Sequence, residues 1–259
     1  MGELLKGKCI VIVGGTSGIG LSAAKAFAKE GAQILATGLP VEDLPNSDRI
    51  LFQFVDATHE GSAEEGIQTC LSQFGDFHAL YHVAGGSGRK FGDGPLHEMT
   101  FEGWKRTLAL NLDSVMLSNR AAVQYFLQNG TKGAILNTST VLAYHPSPKY
   151  FYTHAYAAAK AAIIGFSQSL AAYYAPHNIR VNVIAPALTQ TPMAQRAAKR
   201  EDIQQFIQTK QPLEGGRMAY PEDLDGAALY LLSDAARFTT GQVLAVDGGW
   251  SVSEGQYGL

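Results

Sequence analysis

Short runs of apolar residues recur along the chain and are separated by longer stretches in which apolar positions have helical spacing. The apolar runs span residues 9–13, 33–37, 50–55, 77–83, 133–139 and 180–184. Continuous runs of this length that are rich in Val and Ile are typical of strands buried on both faces of a parallel sheet. Their alternation with helical segments predicts an α/β fold.

Amphipathic helices are predicted between these strands. Ile19, Ala23 and Phe27 recur at helical spacing, and a long helix is predicted from residue 101 to about 127. Pro221 begins a further helix, whose predicted buried face comprises Leu224, Ala228, Leu231 and Leu232. No internal repeat or shift in composition marks a boundary, so residues 1–259 are expected to form a single domain.

A glycine-rich turn joins the first strand to the first helix. Gly14, Gly18 and Gly20 allow a tight bend and a close approach of a ligand to the backbone. The amides that begin the helix, around Ser17 and Ile19, lack helical partners and point toward such a ligand. The expected ligand is the pyrophosphate of a dinucleotide, and the alternative is a turn with a purely structural role.

The ends of the next two strands predict where the rest of a dinucleotide lies. In NAD-binding folds an acidic residue after the second strand holds the ribose 2′-hydroxyl, but this chain has Thr37-Gly38-Leu39-Pro40 there. No Arg or Lys is near in sequence to receive a 2′-phosphate, and Glu42 and Asp43 would repel one, which favours NAD over NADP. Asp56 and Ala57 follow the third strand, where the carboxylate either accepts from the adenine amino group or caps the next helix.

Tyr156 and Lys160 lie four residues apart in a run of good helix formers, so a helix places them on one face. A free tyrosine keeps its proton until about pH 10 and is a poor base at neutrality. A neighbouring ammonium group favours the phenolate and would lower that pKa. The pair is therefore a candidate for proton transfer, and the alternative is an ordinary surface pair.

Composition and charge argue against several other classes of function. The 259 residues carry a formal net charge of −3 and the 20 basic residues are scattered, so neither nucleic acid nor a membrane is an expected partner. No apolar run approaches the roughly 18 residues of a membrane span, and the short, charged start is unlike a secretory signal. Cys9 and Cys70 are the only cysteines, so neither a disulfide framework nor a metal site is predicted, and the expected compartment is the cytoplasm.

The ordered motifs together resemble the short-chain dehydrogenase/reductase family over essentially the entire chain. The glycine turn matches the family motif TGxxxGIG except that Val13 replaces its threonine, and Tyr156 with Lys160 matches YxxxK. Asn111 matches the family's helix asparagine, and residues 241–249 match its closing GxxxxVDGG signature. The resemblance implies a single-domain, doubly wound Rossmann-type parallel sheet of about seven strands in the order 3-2-1-4-5-6-7.

The same resemblance implies an oxidoreductase that transfers a hydride between a nicotinamide dinucleotide and a secondary alcohol or ketone. The catalytic residues would be Asn111, Thr140, Tyr156 and Lys160, with Ser139 as the alternative hydroxyl. Tyr156 would exchange a proton with the substrate oxygen, Lys160 would lower the pKa of Tyr156 and hold the nicotinamide ribose, and Asn111 would fix a water. The expected cofactor is NAD, with NADP as the alternative.

The chain departs from the family pattern near the expected cofactor. His82-Val83-Ala84-Gly85 stands in place of the family's NNAG, and the backbone contact of Ala84 and Gly85 with the cofactor is expected to persist. His82 is expected to be structural rather than an acid or base. Pro186 is followed by Ala187 instead of glycine, while Thr189 and Thr191 match positions that bind the carboxamide.

Three segments are expected to surround the substrate: the loop 86–96, an insertion at 143–154 and a helical lid at about 190–211. In the insertion, Tyr144, His145, Tyr150 and Tyr152 either line the substrate site or pack a surface loop. The helical segment 190–211 either closes over substrate or packs as an ordinary helix. Arg89 or Lys90 would attract an anionic group, although the favoured interpretation is that both are ordinary solvated charges.

The expected partner is a small-molecule substrate, and two other functions remain as alternatives. The first is a catalytically inactive NAD(P)-binding sensor or regulator, and the second is an enzyme that reduces an enoyl double bond. By family analogy the protein is expected to form a homotetramer through the helices that carry Asn111 and Tyr156.

Overall fold

A seven-stranded, fully parallel sheet forms the centre of the protein in a computed structural model that describes residues 3–255. Its strands are β1 (Cys9–Val13), β2 (Gln33–Gly38), β3 (Ile50–Phe54), β4 (Ala79–His82), β5 (Gly133–Thr138), β6 (Ile179–Pro186) and β7 (Val243–Val246). The strand order is β3-β2-β1-β4-β5-β6-β7, as predicted. Successive strands are added to one side of β1 up to β3 and to its other side from β4 onward. Between β1 and β4 this change of side leaves a crevice at the carboxyl ends of the strands, where such folds bind ligands.

Eight α-helices lie between residues 3 and 255. They are α1 (Gly18–Lys29), α2 (Ser62–Phe74), α3 (Phe101–Leu108), α4 (Ser114–Asn129), α5 (His154–Tyr174), α6 (Gln195–Ala198), α7 (Glu201–Lys210) and α8 (Asp225–Leu232). The helix predicted from residue 101 to about 127 is present and continuous, and α3 and α4 are joined within it by one widened turn, Ala109–Asp113, with π-helical hydrogen bonding. Such widened turns occur often at functional sites, and this one carries Asn111.

The sheet is covered on both faces, which explains why its central strands read as continuous apolar runs. On one face, side chains of β1 and β2 such as Ile10 and Ile34 pack against Phe27 of α1 and Leu231 of α8. On the other face, Val11 belongs to a second buried cluster that includes residues of α2 and α4. Among residues 3–255, no helix combines the length and the apolar character needed to cross a bilayer.

A third buried cluster lies beyond the sheet and holds the segment predicted to be a lid. Ile203 and Ile207 of α7 are buried there with Tyr150 of the insertion and with Trp250. The predicted helical segment 190–211 consists of a 3-10 turn, Pro192–Ala194, followed by the short helix α6 and then α7. The segment therefore packs against the aromatic side chains of Tyr150 and Trp250.

Asp225 provides a pH-dependent term in the stability of this fold. Its carboxylate accepts a hydrogen bond of 2.8 Å from Ser22 Oγ of α1, and burial raises its pKa from 3.8 to about 6. A carboxyl group with a raised folded-state pKa stabilises the fold fully below its unfolded pKa, and that contribution is lost as the pH rises through about 6. Above that pH the folded state carries the cost of a partly buried charge.

We therefore expect Asp225→Asn to stabilise the protein at high pH only. The free energy of unfolding should rise by about 1 kcal/mol near pH ~8, a value discounted for solvent screening, and should change little near pH ~4. Denaturant titrations at the two pH values provide the measurement. Asp48→Asn, at an exposed carboxylate, is the control and should change both values by less than about 0.5 kcal/mol. An equal effect of Asp225→Asn at both pH values would contradict the assignment.

Candidate active site

A cavity of about 280 Å³ opens at the carboxyl edge of the sheet, next to the start of α1. It is bordered by side chains from the end of β5, from α5 and from the loop that follows β6. Seven of the predicted site residues other than glycine line it: Ile19, Thr140, Tyr156, Lys160, Pro186, Thr189 and Thr191. Gly85 lines it as well. The cavity therefore collects residues that are more than 170 positions apart in the sequence.

Tyr156 is buried in the wall of this cavity, with 9% of its surface exposed. Burial raises the pKa of Tyr156 to about 12, and the neighbouring Thr140 hydroxyl works against that rise. The predicted lowering of this pKa by Lys160 is therefore wrong for this structure: desolvation of the phenolate raises the pKa, and the group that opposes the rise is Thr140 rather than Lys160. At neutral pH the phenol holds its proton and is able to donate it.

Lys160 is also buried, one helical turn from Tyr156 on α5. Its Nζ atom lies 5.8 Å from the centre of the Tyr156 ring and donates a hydrogen bond of 2.8 Å to the carbonyl oxygen of Thr138. Burial lowers the pKa of Lys160 to about 8. The ammonium group is thus anchored by the end of β5, which fixes its position at the base of the cavity.

The two candidate hydroxyls at the end of β5 have different environments. Ser139 Oγ donates a hydrogen bond of 2.7 Å to the carbonyl oxygen of Lys160 and is 1% exposed. Thr140 Oγ1 donates to the carbonyl oxygen of Pro186 at 3.1 Å and is the hydroxyl that acts on the pKa of Tyr156. Ser139 therefore ties β5 to α5, while Thr140 lies beside the phenol.

Asn111 lies behind the cavity rather than in its wall, and it is completely buried. Its Nδ2 atom donates to the carbonyl oxygens of Gly86 and Thr107, both at 2.9 Å, and its Oδ1 atom accepts from the amide of Gly86 at 3.0 Å. The side chain thus fastens the loop after β4 to the helix. The predicted fixing of a water by Asn111 stays a prediction.

The glycine turn has the shape that close contact with a dinucleotide requires. A Cβ atom on Gly14, whose φ is +87°, would lie 2.5 Å from the amide nitrogen of Ala84, and one on Gly20 would lie 2.1 Å from the carbonyl oxygen of Gly14. Ser17 precedes α1 in an extended conformation and, within residues 3–255, its hydroxyl does not cap the helix. The first amides of α1 therefore remain able to bind an anion, so the residues present fit a pyrophosphate.

Three more of the predicted cofactor glycines leave no free room for a side chain, because neighbouring side chains lie close to them. A Cβ atom on Gly18 would lie 3.1 Å from Thr191 Cγ2, and one on Gly38 would lie 2.5 Å from Thr16 Oγ1. A Cβ atom on Gly85 would lie 3.3 Å from Lys160 Nζ. These contacts run from the end of β2, past the glycine turn, to the base of the cavity.

Asp56 and Ala57 lie at the outer end of this edge. Asp56 Oδ1 accepts hydrogen bonds from the amide and the hydroxyl of Thr58, at 2.9 and 2.8 Å, and the amide bond is the main reason that the pKa of Asp56 is lowered. The carboxylate therefore stabilises a local turn. It does not cap α2, whose N-cap residue is Gly61, so that alternative is wrong.

His82 is structural, as expected. It is completely buried, its Nδ1 atom lies 2.8 Å from Ser118 Oγ, and its Nε2 atom lies 3.4 Å from Ser114 Oγ. Burial, with a smaller effect of Lys160, lowers the pKa of His82 to about 3. The ring is therefore neutral and links β4 to α4.

The loop 86–96, the insertion 143–154 and the segment 190–211 all contribute residues to the cavity lining, as predicted. The insertion contributes Phe151 and Thr153 to the lining, whereas none of the four aromatic residues named from the sequence lines it. Those four are Tyr144, His145, Tyr150 and Tyr152, and Tyr150 instead packs against Phe206 with the ring centres 5.1 Å apart. Likewise Arg89 lines the cavity, but Lys90 does not and lies over the ring of Phe91.

Asp93 and Trp250 are parts of the site that the sequence did not reveal. Trp250 lines the cavity and donates from Nε1 to the carbonyl oxygen of His145 at 3.2 Å. Asp93 is buried and accepts from the amides of Ala155 and Tyr156, at 3.1 and 2.8 Å. These amides belong to the first turn of α5, so a carboxylate from a distant loop caps the helix that carries Tyr156.

We expect Asp93→Ala to lower the free energy of unfolding by about 1–2 kcal/mol, because two buried amides lose their acceptor. Asp93→Asn is the matched control: its remaining carbonyl oxygen still accepts one hydrogen bond, so its loss should be smaller. Denaturant titration of the three proteins measures the effect. Equal stability of the wild type and Asp93→Ala would show that the cap has no energetic role.

Comparisons with known proteins agree with this geometry. A family model described as enoyl-(acyl carrier protein) reductase matches residues 13–251. Cis-4-hydroxycyclohexanecarboxylate dehydrogenase of Sinomonas cyclohexanicum is 32% identical over 258 residues, which cover 97% of this chain and 99% of that protein. Among solved structures, a short-chain type dehydrogenase/reductase from Mycobacterium ulcerans is 27% identical with a TM-score of 0.84, over 96% of this chain and 91% of that one.

A further solved structure contains a cofactor. The 3-ketoacyl-(acyl-carrier-protein) reductase from Brucella melitensis, complexed with NADH, is 28% identical with a TM-score of 0.80, over 96% of this chain and 100% of that one. The family match over residues 13–251 and the dehydrogenase that is 32% identical over nearly the full chain place the protein in a class of oxidoreductases. The chain belongs to the short-chain dehydrogenase/reductase family, as its motifs predicted.

Proposed function

We propose that the enzyme interconverts a secondary alcohol and a ketone, with Tyr156 as the group that exchanges a proton with the substrate oxygen. The observation that carries this proposal is the meeting of Tyr156, Thr140 and Lys160 in one cavity that borders the glycine turn. A bound nicotinamide supplies or accepts the hydride. The protein must then donate a proton to the developing alkoxide, and the protonated, buried phenol is suited to that step.

Each neighbouring residue has a proposed role in this proton transfer. Thr140 orients the substrate oxygen toward Tyr156, because its hydroxyl lies beside the phenol. Lys160 holds the nicotinamide ribose, with its ammonium group fixed at the base of the cavity by the carbonyl oxygen of Thr138. Asn111 keeps the backbone of Gly86 in place at the edge of the cavity.

The hydroxyl assignment leads to a prediction. Thr140→Val keeps the shape of the side chain and removes only the hydroxyl, so kcat/KM should fall about 100-fold, as expected for the loss of an oriented polar group at a reacting oxygen. Ser139→Ala is the control; its hydroxyl bonds to the backbone, so it should lower stability more than activity. The assignment would be reversed if Ser139→Ala lost the activity and Thr140→Val kept it. Steady-state kinetics and thermal unfolding separate the two.

NAD is the proposed cofactor. Gly38 ends β2 and packs on Thr16, and the acidic residues Glu42 and Asp43 follow within five positions. A 2′-phosphate placed near this strand end would meet negative charge, whereas a 2′-hydroxyl would not. The remaining proposed cofactor contacts are those of the glycine turn, Asp56-Ala57, Ala84-Gly85, Pro186, Thr189 and Thr191.

Turnover experiments test the function. The purified protein should oxidise or reduce at least one member of a panel of alcohols and ketones, with NAD preferred over NADP in kcat/KM. An inactive sensor would bind the dinucleotide and turn over none of the panel. A short enoyl thioester belongs in the panel, since reduction of that compound alone would replace the ketone proposal.

The other structural expectations remain proposals. Residues 190–211 are proposed to open and close over the substrate, with the aromatic cluster of Tyr150 and Trp250 as the closed position. The single-domain organisation over 1–259 and the cytoplasmic location also stay predictions. A homotetramer assembled through α4 and α5 is proposed by analogy with the family.

A further inference from the structure

Three cationic side chains line the cavity: Lys160 at its base, and Arg89 and Arg196 at its border. Among the residues that the structure describes as lining the cavity, none is Asp or Glu. The remaining surroundings include apolar side chains such as Leu142, Phe151 and Met193. A mainly apolar cavity with an excess of positive charge is suited to a ligand that is apolar in its body and anionic at one end.

The two arginines are close enough to repel each other. Burial, then Arg89 and then Arg200, lower the pKa of Arg196. Asp202 opposes this shift in the pKa of Arg196, but its carboxylate forms its ion pair with Arg200, whose Nε atom lies 3.0 Å from Oδ1. Within residues 3–255, no carboxylate forms an ion pair with Arg89 or Arg196. A bound anion would relieve this repulsion.

Both guanidinium groups are held in place by the insertion that precedes α5. Arg89 lies over the ring of Tyr152, with 4.8 Å from its Cζ atom to the ring centre, and Arg196 donates to the carbonyl oxygen of Tyr150 at 3.2 Å. The glycine turn contacts other residues, namely Ala84 and Thr191. Both arginines therefore contact the insertion, Arg89 from the loop after β4 and Arg196 from the proposed lid.

We propose that Arg89 and Arg196 bind a carboxylate of the substrate, and that the substrate is a small cyclic hydroxy or oxo carboxylic acid. This inference rests on the proposed alcohol and ketone chemistry. Planar guanidinium groups match the geometry of a carboxylate, which favours this anion among small substrates. The cavity of about 280 Å³ is also lined by residues proposed to hold the cofactor, so the space left beside the arginines suits a small substrate.

One of the relatives supports the same chemical class. Cis-4-hydroxycyclohexanecarboxylate dehydrogenase, 32% identical to this chain, is named for a compound with a ring, a hydroxyl and a carboxylate. In such a substrate the alcohol carbon loses a hydride to the nicotinamide and the hydroxyl loses a proton through Tyr156, so the product is the corresponding oxo acid. The carboxylate itself takes no part in the reaction and serves only for binding.

The test compares 4-hydroxycyclohexanecarboxylate with its uncharged carboxamide. We expect the wild type to prefer the acid by at least about tenfold in kcat/KM, as expected for hydrogen bonds to a charged group. Arg89→Gln and Arg196→Gln should each remove most of this preference by lowering kcat/KM for the acid, and should leave the carboxamide within about twofold. Lys149→Gln and Lys199→Gln change cations of the same insertion and lid that lie outside the cavity lining, and both should keep the preference.

Each outcome separates this inference from the proposed function. Equal kcat/KM for acid and carboxamide in the wild type would overturn the carboxylate site while leaving the alcohol and ketone chemistry intact. Weaker NADH binding in the Arg variants, measured by fluorescence titration, with an unchanged preference for the acid would assign the arginines to the cofactor instead. Turnover of neither compound, with turnover of other neutral alcohols, would also overturn the substrate class, whereas absence of all turnover would contradict the proposed function itself.

Discussion

Tyr156→Phe should lower kcat by about 10²–10⁴-fold, the usual contribution of a positioned acid or base. The substitution removes only the hydroxyl, and the aromatic ring that packs in the cavity wall remains. Without that hydroxyl, no group at this position donates a proton to the alkoxide in ketone reduction or accepts one in alcohol oxidation. Steady-state kinetics with the best substrate of the panel, in both directions, measures the loss.

Cofactor binding is the control for this prediction. The affinity for NADH should change by less than about twofold in Tyr156→Phe, since the glycine turn and Lys160 are unaltered. A variant that keeps the wild-type kcat would refute the role of Tyr156 as the proton donor. A variant that loses both kcat and NADH affinity would indicate instead that the hydroxyl supports the cofactor site.

Gly20→Ala should have the second large effect, on both stability and cofactor binding. The added Cβ atom would lie 2.1 Å from the carbonyl oxygen of Gly14, so the turn must open to accept it. Displaced backbone in a tightly packed region costs about 1–3 kcal/mol of unfolding free energy. Because the same movement shifts the first amides of α1, the affinity for NADH should fall at least about tenfold.

Gly226→Ala provides the matched control for this steric argument. Gly226 is also a helical glycine, but a Cβ atom built there meets no other atom within 4 Å. The substitution should therefore stabilise the protein by up to about 1 kcal/mol through helix propensity. NADH affinity by fluorescence titration and stability by denaturant titration distinguish the two variants. The steric argument would fail if Gly20→Ala kept the stability and the NADH affinity of the wild type.

The sequence was sufficient to predict the parts of the molecule that depend on local patterns. The strand order followed from the family resemblance and the apolar runs, and the runs of the central strands are buried between two layers of helices. The position of Tyr156 relative to Lys160 followed from helical spacing, and the glycine turn from its conformational freedom. The helical spacing and the glycine turn depend only on residues that are near each other in the sequence.

Other parts depend on burial and on contacts between distant segments. The direction of the pKa shift of Tyr156 reverses because the whole cavity, rather than Lys160, determines its solvation. Asp93 caps a helix that begins more than 60 residues later, and Arg196 approaches Arg89 from the opposite end of the chain. Similarly, Tyr150 of the insertion packs against Phe206 of α7, whereas Phe151 lines the cavity. The aromatic composition of the insertion did not predict which of its rings would line the cavity.

The loop between Gly86 and Asp93 is hydrogen-bonded at both ends. One end contacts the turn that holds Asn111, and the other contacts α5, which holds Tyr156. Asn111 forms hydrogen bonds with the backbone of Gly86, and the carboxylate of Asp93 accepts from the amide of Tyr156. Arg89 lies between Gly86 and Asp93 in the loop. The proposed substrate contact and the proposed proton donor therefore depend on the same loop. During divergence of such an enzyme, replacing this loop to admit a new substrate would also disturb the position of Tyr156, the proposed proton donor. Changes in substrate preference are therefore expected to arise more readily in the proposed lid, residues 190–211.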